Sequence, residues 1–398
     1  MPKSNIEHTN GESRTPLLVI GAGPYGLATA AYARRVGIEP LVVGQPMAFW
    51  RDNMPAGMFL RSGADWHLDA AREDTFESYL EERGIDPADV DPIPVRLFID
   101  YATWFQEKAG LEVLPDVVEE LSHPNGHFEA TLQSGRRITA DAVVAAPGIT
   151  HFTVMPRWVE ESISPGRWSH TCTTVDFEEM RGSRVLIVGG RQSAFEWAAL
   201  LADMDAEEIH VIYRHDTPEF TASDWSFVDG LMDLTASIPG WFRNLPAAER
   251  DAVARRFWAE GRLKLEPWLT QRLDKPSVHR WPHAFVIGCR ELPDGGIQVE
   301  LSNGNQLVVD HVILATGYKP DMTKVPYLAG VLDDLELADG FPVLDEHFQS
   351  SLPGLFVTGF PATKDFGPFF GFVRGCPVAA TLTVAGVEGA LDRTGSLA

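Results

Sequence analysis

Short runs of consecutive apolar residues, each ending in glycine, occur twice in the chain and predict buried parallel strands. The first run covers residues 17–20 and leads into Gly21-Ala22-Gly23-Pro24-Tyr25-Gly26; the second covers 185–188 and leads into Gly189-Gly190-Arg191-Gln192-Ser193-Ala194. Each turn is predicted to open a helix, the first over residues 24–36. Such a turn lets the backbone approach a pyrophosphate, which then faces the helix N-terminus. The pattern therefore predicts two dinucleotide sites.

The similarity between the two halves extends well beyond the glycine turns. Residues 126–135 predict a β-hairpin followed by a buried strand over 141–148, and residues 295–304 and 310–317 repeat this order. The offset is 168 positions from Gly21 to Gly189, and 169 from Gly148 to Gly317. Self-similarity at a nearly constant offset indicates two copies of one domain. The predicted fold class is α/β, with two Rossmann-like domains of three layers (ββα).

The order of elements predicts that one domain is inserted in the other. We expect a disordered tail over residues 1–15, a first domain over 16–160 and 319–398, and a second domain over 161–318. Further strands are predicted at 39–43 and 209–214, and helices at 75–83 and 99–109. Residues 217–282, rich in Trp and Phe, form a predicted helical insertion. They could be a lid, a substrate wall or a subunit contact, or a small subdomain with its own core.

Composition and charge narrow the class of protein. The chain has 398 residues, a formal net charge of −23 and three cysteines without a CxxC motif. The negative charge argues against nucleic acid and anionic membranes as partners. No apolar stretch is long enough to span a membrane, and the polar N-terminus lacks the core of a signal peptide. We therefore expect a cytoplasmic enzyme without a redox disulfide. No metal-ligand spacing is present.

The chain resembles the two-dinucleotide flavoprotein superfamily, and within it the flavin-containing and N-hydroxylating monooxygenases. The resemblance rests on the two glycine turns, on Ala315-Thr316-Gly317-Tyr318, and on the closing segment 354–359. Gly166 and His170 match the Gly-x-x-x-His core of the monooxygenase fingerprint. The chain departs from the pattern at Gln45, where an acid usually binds the adenosine ribose, and near Gly63, where the family has an asparagine.

The resemblance implies FAD in the first domain and NADPH in the second. The residues it implies for FAD lie along the first turn, the flavin ring and the closing segment: Gly21, Gly23, Pro24, Tyr25, Gly26, Gln45, Trp50, Leu60, Ser62, Val118, Pro147, Gly148, Thr358, Gly359, Phe366, Gly367 and Pro368. Those for NADPH are the second turn and its neighbours: Gly189, Gly190, Arg191, Gln192, Ser193, Ala194, Arg214, Ala315, Thr316, Gly317 and Tyr318. Arg214 follows the second strand, where a 2′-phosphate would bind. The 366–368 turn is expected to bring a helix N-terminus towards the flavin.

The implied activity is that of a monooxygenase. NADPH would reduce FAD, and reduced flavin would take up O2 as a C4a-(hydro)peroxide that oxygenates a small-molecule amine, sulfide or carbonyl compound. A reductase or oxidase without oxygen insertion, and a flavin-binding sensor, stay open as alternatives. The sequence assigns no catalytic residue. It does not fix the oligomeric state, with a homodimer among the options.

Overall fold

The structure is a computed structural model and describes residues 8–9 and 12–395. Its strands, numbered along the chain, are β1 (His8–Thr9), β2 (Glu12–Ile20), β3 (Pro40–Val43), β4 (Val113–Leu114), β5 (Val118–Ser122), β6 (Phe128–Leu132), β7 (Arg137–Ala145), β8 (Trp168–His170), β9 (Arg184–Val188), β10 (Glu208–Ile212), β11 (Glu219–Phe220), β12 (Lys264–Leu265), β13 (Val278–Trp281), β14 (Val286–Glu291), β15 (Ile297–Leu301), β16 (Gln306–Val309), β17 (His311–Leu314), β18 (Leu337–Ala338), β19 (Phe341–Pro342) and β20 (Leu355–Val357). Its α-helices are α1 (Pro24–Arg35), α2 (Ala48–Asp52), α3 (Phe76–Glu82), α4 (Val95–Lys108), α5 (Arg157–Ser162), α6 (Gln192–Asp203), α7 (Phe227–Ser237), α8 (Trp241–Asn244), α9 (Ala247–Gly261), α10 (Leu269–Leu273), α11 (Thr363–Phe366) and α12 (Cys376–Thr394).

The first domain is built on a parallel sheet in the order β4-β3-β2-β7-β20. Residues 17–20 of its central strand β2 are apolar because both faces of the sheet are covered there. Leu17 and Val19 pack with residues of α1, α4 and α12, while Leu18 and Ile20 pack with the β5–β6 hairpin and the C-terminal segment. The three layers are therefore helices, parallel sheet and antiparallel strands.

The second domain repeats this topology. Its parallel sheet has the order β13-β10-β9-β17-β8, with the glycine-turn strand β9 again in the middle. The antiparallel sheet β14-β15-β16 corresponds to β5, β6 and the first half of β7. The predicted fold class, two ββα dinucleotide-binding domains, is confirmed.

The aromatic insertion differs from the sequence-based expectation in two ways. The last residues of the predicted insertion form β13, a strand of the second sheet that pairs in parallel with β10. The inserted segment therefore ends before Val278, and the insertion consists of residues 217–277. The insertion also lacks a core of its own, so the alternative that it is a small subdomain with its own core is wrong. Val228, Met232 and Phe257 belong to a core of the first domain, and another part of the insertion belongs to the core of the second (Leu265, Leu269, Leu273). The insertion therefore packs on both domains at once.

Several boundaries shift in the structure. The strand β2 begins at Glu12, so residues 12–15 are not a disordered tail; they pair with residues 137–140 of β7. The rest of that expected tail lies largely outside the described residues. Helix α4 begins at Val95, four residues before the predicted start, whereas α3 and its Thr75 N-cap agree with the prediction. Within residues 8–9 and 12–395, no helix is long and apolar enough to cross a membrane.

Candidate functional site

The first glycine turn is held in a conformation that only glycine allows. Gly21 has φ +112° and donates its N–H to Val43 O at 2.8 Å. A Cβ at Gly21 would overlap the carbonyl oxygen of Ala146, and one at Gly26 would overlap that of Gly21. Only glycine lets the chain turn here while β2, β7 and α1 stay in close contact. The equivalent Gly189, with φ +144°, would overlap the Ala315 carbonyl oxygen in the same way.

The space in front of this turn is open and lined by free donors. A Cβ at Gly23 would meet no atom within 4 Å. Gly23 is the N-cap of α1 and no side chain caps the helix. In the described part of the chain, the N–H groups of Ala22, Gly23, Tyr25 and Gly26 donate to no protein acceptor. Free N–H groups at a helix N-terminus favour an anion, so the turn fits a pyrophosphate.

The second turn presents the same donors with a different side-chain environment. The N–H groups of residues 190–193 find no acceptor in the described part of the protein, and Arg191 caps α6 without a side-chain bond. A Cβ at Gly190 would overlap the side chain of Tyr213. Arg214, the next residue, is exposed and forms no ion pair with any described residue. Arg214, the residue predicted to bind the 2′-phosphate, therefore lies just beyond β10 with its charge available to an anion.

Several of the residues predicted around the flavin have defined contacts within the first domain. The Gln45 amide donates to Pro115 O at 3.1 Å, and the Trp50 ring packs against Phe98 at 4.8 Å. The side chains of Leu60 and Val118 are buried. Thr358 is 1% exposed and its Oγ1 lacks a partner among the described residues. An orphaned buried hydroxyl at this point fits a polar edge of a bound cofactor.

The structure modifies the role expected for the 366–368 turn. The Phe366 ring stacks on Phe348 with centroids 3.6 Å apart, and is buried in the core. Gly367 and Pro368 lead into a short 3₁₀ turn, and the long helix α12 begins only at Cys376. The side chain of Phe366 is therefore a packing element, and the expected helix N-terminus is displaced along the chain.

The segments joining the two domains cross beside His170. The hydroxyl of Thr316 donates to Val154 O at 2.5 Å, and the amide of Val154 donates to Gly317 O at 3.0 Å. The buried His170 ring lies 5.2 Å from the Tyr318 ring, and its Nε2 is 3.3 Å from Gly317 O. Burial lowers the pKa of His170. These contacts favour a structural role at the crossing, where Pro147 and Gly148 also lie close in sequence.

A cavity of about 350 Å³ opens between the insertion and residues 60–66, here named the flavin-side loop because the resemblance predicts Leu60 and Ser62 near the flavin. The loop contributes residues 60–66, with Ser62 and the buried Trp66, and the insertion contributes Trp225 and Trp268. The Trp66 and Trp225 rings are 6.0 Å apart, edge to face. Two of the aromatic residues singled out in the sequence therefore form a wall of the cavity.

One side of the cavity is closed by a buried ion pair. Arg61 Nε donates to Glu266 Oε1 at 2.6 Å, with side-chain exposures of 16% and 6%. Arg61 also donates to Gly261 O at 2.7 Å and to Ser223 Oγ. All these acceptors belong to the insertion, so a single side chain of the flavin-side loop ties the two together.

The polar network continues from this ion pair to the second glycine turn. The Glu266 amide donates to Gln192 Oε1 at 3.3 Å, and Gln192 Nε2 donates to Glu196 Oε2 at 2.9 Å. Glu196 is completely buried, with Arg272 Nη1 3.7 Å from its Oε1. Burial raises the pKa of Glu196 to about 7, although the charge of Arg272 lowers it.

Sequence reasoning missed Arg61, Glu196 and Glu266. Glu196 lies four residues after Gln192 in the predicted helix, so its shared face was a detectable signal. Arg61 and Glu266 are 205 positions apart, and no local pattern relates them. Within residues 8–9 and 12–395, no group of His, Cys, Asp and Glu side chains could hold a metal ion.

The fold and the two glycine turns define a two-dinucleotide flavoprotein. A family model for pyridine nucleotide-disulphide oxidoreductases matches residues 15–232, more than half of the chain. The chain belongs to this family, and its cofactors are FAD and NADP(H).

Similar proteins fall into reductases and monooxygenases. A thioredoxin reductase of Escherichia coli O157:H7 is 27% identical over 202 residues, which are 50% of this chain and 53% of that protein. The chain thus spans about half the length of that relative. A probable indole-3-pyruvate monooxygenase of Arabidopsis thaliana is 26% identical over 382 residues, 86% of this chain and 83% of that protein. The solved structure of an ornithine N-hydroxylase from Kutzneria sp. 744 has a TM-score of 0.77 at 18% identity, and the match covers 94% of this chain and 99% of that one. This likeness shows the shared fold.

Proposed function

We propose that the protein is an NADPH-dependent FAD monooxygenase that oxygenates a small-molecule amine, sulfide or carbonyl compound. The observation that carries the proposal is the aromatic cavity between the flavin-side loop and the insertion. Trp66, Trp225 and Trp268 give this cavity an apolar wall against which a substrate could bind, and the Arg61–Glu266 ion pair borders it. Water must be kept from the reacting centre, or reducing equivalents are released as peroxide.

The residues present fit both cofactors. The open space at Gly23 and the free N–H groups around it suit the FAD pyrophosphate, and the unpaired Thr358 hydroxyl suits a polar group of the flavin. Bound FAD would supply the redox chemistry, since it accepts a hydride and reacts with O2. The chain itself positions the nucleotide, shields the cavity and holds the two domains in a fixed relation through Arg61.

The charge at the cavity favours an amine among the three substrate classes. Asp65 and Asp91 line it, and their carboxylates form no ion pair with any described residue. Arg61 and Arg374, the nearby cations, are already engaged with Glu266 and Asp229. An ammonium group could pair with the free carboxylates and lie against the tryptophan rings.

The matches to reductases make dithiol reduction the second candidate. Cys172, Cys289 and Cys376 are all free thiols, and Cys376 is completely buried. Burial raises the pKa of all three, which suppresses the reactive thiolate. These properties disfavour thiol–disulfide exchange by the described part of the chain.

The two candidates are separated by following the oxygen atoms. The holoenzyme is incubated with NADPH, oxygen-18 gas and panels of amines, sulfides and ketones, and products are analysed by mass spectrometry. The proposal predicts a product that carries one oxygen-18 atom, with amines the best substrates. NADPH oxidation that yields only labelled peroxide across all panels, or NADPH-dependent reduction of a disulfide, would contradict it.

A further inference from the structure

Two arginines without carboxylate partners lie beside the second glycine turn. Arg191 immediately precedes α6, and Arg262 follows α9 in the insertion. Neither guanidinium forms an ion pair with a described carboxylate, although acidic residues outnumber basic ones and the net charge is −23. By contrast, the adjacent Lys264 is paired with Glu260 and the nearby Arg61 with Glu266.

The two side chains are held together by one aromatic ring. The Arg191 guanidinium carbon is 5.4 Å from the centroid of the Trp258 ring and that of Arg262 is 5.7 Å from it. Arg191 Nη1 also donates to Arg262 O at 2.9 Å. These contacts hold two like charges near each other, which costs free energy unless an anion lies between or beside them.

The surroundings of both guanidinium groups favour the binding of an anion. Burial lowers the pKa of Arg191. Arg262 keeps a solvent-accessible part, yet desolvation lowers the pKa of its guanidinium, and the charges of Arg61 and Arg191 lower it further. Glu266 neutralises the charge of Arg61. The uncompensated positive charge at this place is therefore carried by Arg191 and Arg262.

The neighbouring backbone identifies the kind of anion. The free N–H groups of residues 190–193 belong to the same turn as Arg191, at the N-terminus of the twelve-residue helix α6. In this type of turn the pyrophosphate of a dinucleotide lies against the helix N-terminus. The 2′-phosphate would instead lie beyond β10, where the exposed Arg214 is found.

We propose that Arg191 and Arg262 bind the pyrophosphate of the nicotinamide dinucleotide, so that the insertion supplies part of the second dinucleotide site. This inference rests on the proposed function in one respect, because it requires that the protein binds a nicotinamide dinucleotide. Trp258 orients both guanidinium groups. Arg191 stands where a glycine would let the backbone approach the pyrophosphate, and its charge replaces part of that contact.

The test compares two dinucleotides that share a pyrophosphate but differ in the 2′-phosphate. Binding of NADP⁺ and NAD⁺ to the oxidised holoenzyme is measured by calorimetry. Because a charge-assisted phosphate contact contributes about 1.5–3 kcal/mol, Arg262→Ala is expected to weaken both by ~10- to 100-fold. Arg214→Ala should weaken NADP⁺ alone. Arg96→Ala, a change of equal charge on the exposed face of α4 in the first domain, should leave both affinities unchanged.

Further variants distinguish a lost phosphate contact from misfolding of the protein. Arg262→Lys keeps the charge and should recover part of the affinity, while Arg191→Ala should reproduce the loss; flavin absorbance reports retained FAD. If the wild type binds both dinucleotides and Arg262→Ala binds them equally well, the pyrophosphate proposal is wrong and the oxidoreductase function stands. A loss confined to NADP⁺ would also overturn it. If the wild type binds neither dinucleotide, both proposals fail.

Discussion

Arg61 and Glu266, separated by 205 positions in the sequence, form a 2.6 Å ion pair that joins the flavin-side loop to the insertion. The insertion packs on both domains and has no core of its own. This pair therefore fixes one wall of the cavity with respect to the other. The network continues through Gln192 to Glu196, so the cavity and the second dinucleotide turn are parts of one connected structure.

Breaking this ion pair should destabilise the protein strongly. Glu266→Ala leaves the largely buried Arg61 guanidinium without its carboxylate partner, which we expect to cost about 2–3 kcal/mol in free energy of unfolding, below the cost for a fully buried charge. The measurement is denaturant unfolding of the holoenzyme. Glu73→Ala, which breaks the exposed pair with Arg35, serves as the control and should change stability little. Equal effects of the two substitutions would show that the Arg61 pair contributes no more than a surface contact.

A bulky side chain at Gly23 should remove FAD without disrupting the fold. A Cβ there meets no protein atom within 4 Å, so the side chain of Gly23→Trp starts in the open space where the pyrophosphate would lie. We expect a colourless, folded protein by absorbance and circular dichroism. Gly26→Ala is the contrasting variant, because its Cβ overlaps the Gly21 carbonyl oxygen and the fold itself should suffer. Full FAD retention in Gly23→Trp would place the cofactor elsewhere.

The two tryptophans of the insertion should limit the leakage of reducing equivalents. Trp225→Ala or Trp268→Ala enlarges the cavity and admits water, so the ratio of hydrogen peroxide released to NADPH consumed should rise. Trp241→Ala, in the same insertion but packed on Phe242 away from the cavity, is the matched control. An unchanged ratio in both cavity variants would restrict these rings to a packing role.

Glu196 should make stability decrease as pH rises towards neutrality. Its pKa in the folded protein is about 7, against an ordinary value of 4.5, so the folded state binds more protons than the unfolded state between these values. Stability from this group is therefore present at low pH and lost as pH rises from about 4.5 to 7. Glu196→Gln should remove that component. We expect thermal unfolding temperatures of variant and wild type to diverge in favour of the variant between pH 5 and 8; parallel pH profiles would refute this.

The sequence predicted the parts of the fold that depend on local patterns and internal repetition. Apolar runs, glycine turns and the constant offset identified β2, β9 and their helices, because parallel strands covered on both faces are apolar throughout. The predicted end of the tail was wrong because residues 12–15 are all polar, yet they extend strand β2 by pairing with β7. No local signal marks such an extension.

The site was predictable only where backbone geometry defines it. Gly21 and Gly189 could be recognised as turn residues because their positive φ angles and the carbonyl oxygens that face them require glycine. Contacts such as Arg61 with Glu266, or Arg191 and Arg262 on Trp258, join segments distant in sequence, and they follow from how the insertion packs. The stacking of Phe366 on Phe348 could not be predicted for the same reason, since it is a tertiary contact.

The central claim is that the protein activates oxygen in a shielded cavity. The most direct test is rapid mixing of the NADPH-reduced holoenzyme with O2, followed by absorbance, with and without the amine panel. The account predicts a transient species distinct from both reduced and oxidised flavin, which decays faster when a substrate is present. A single-step return to oxidised flavin with stoichiometric hydrogen peroxide, unaffected by any candidate substrate, would contradict it.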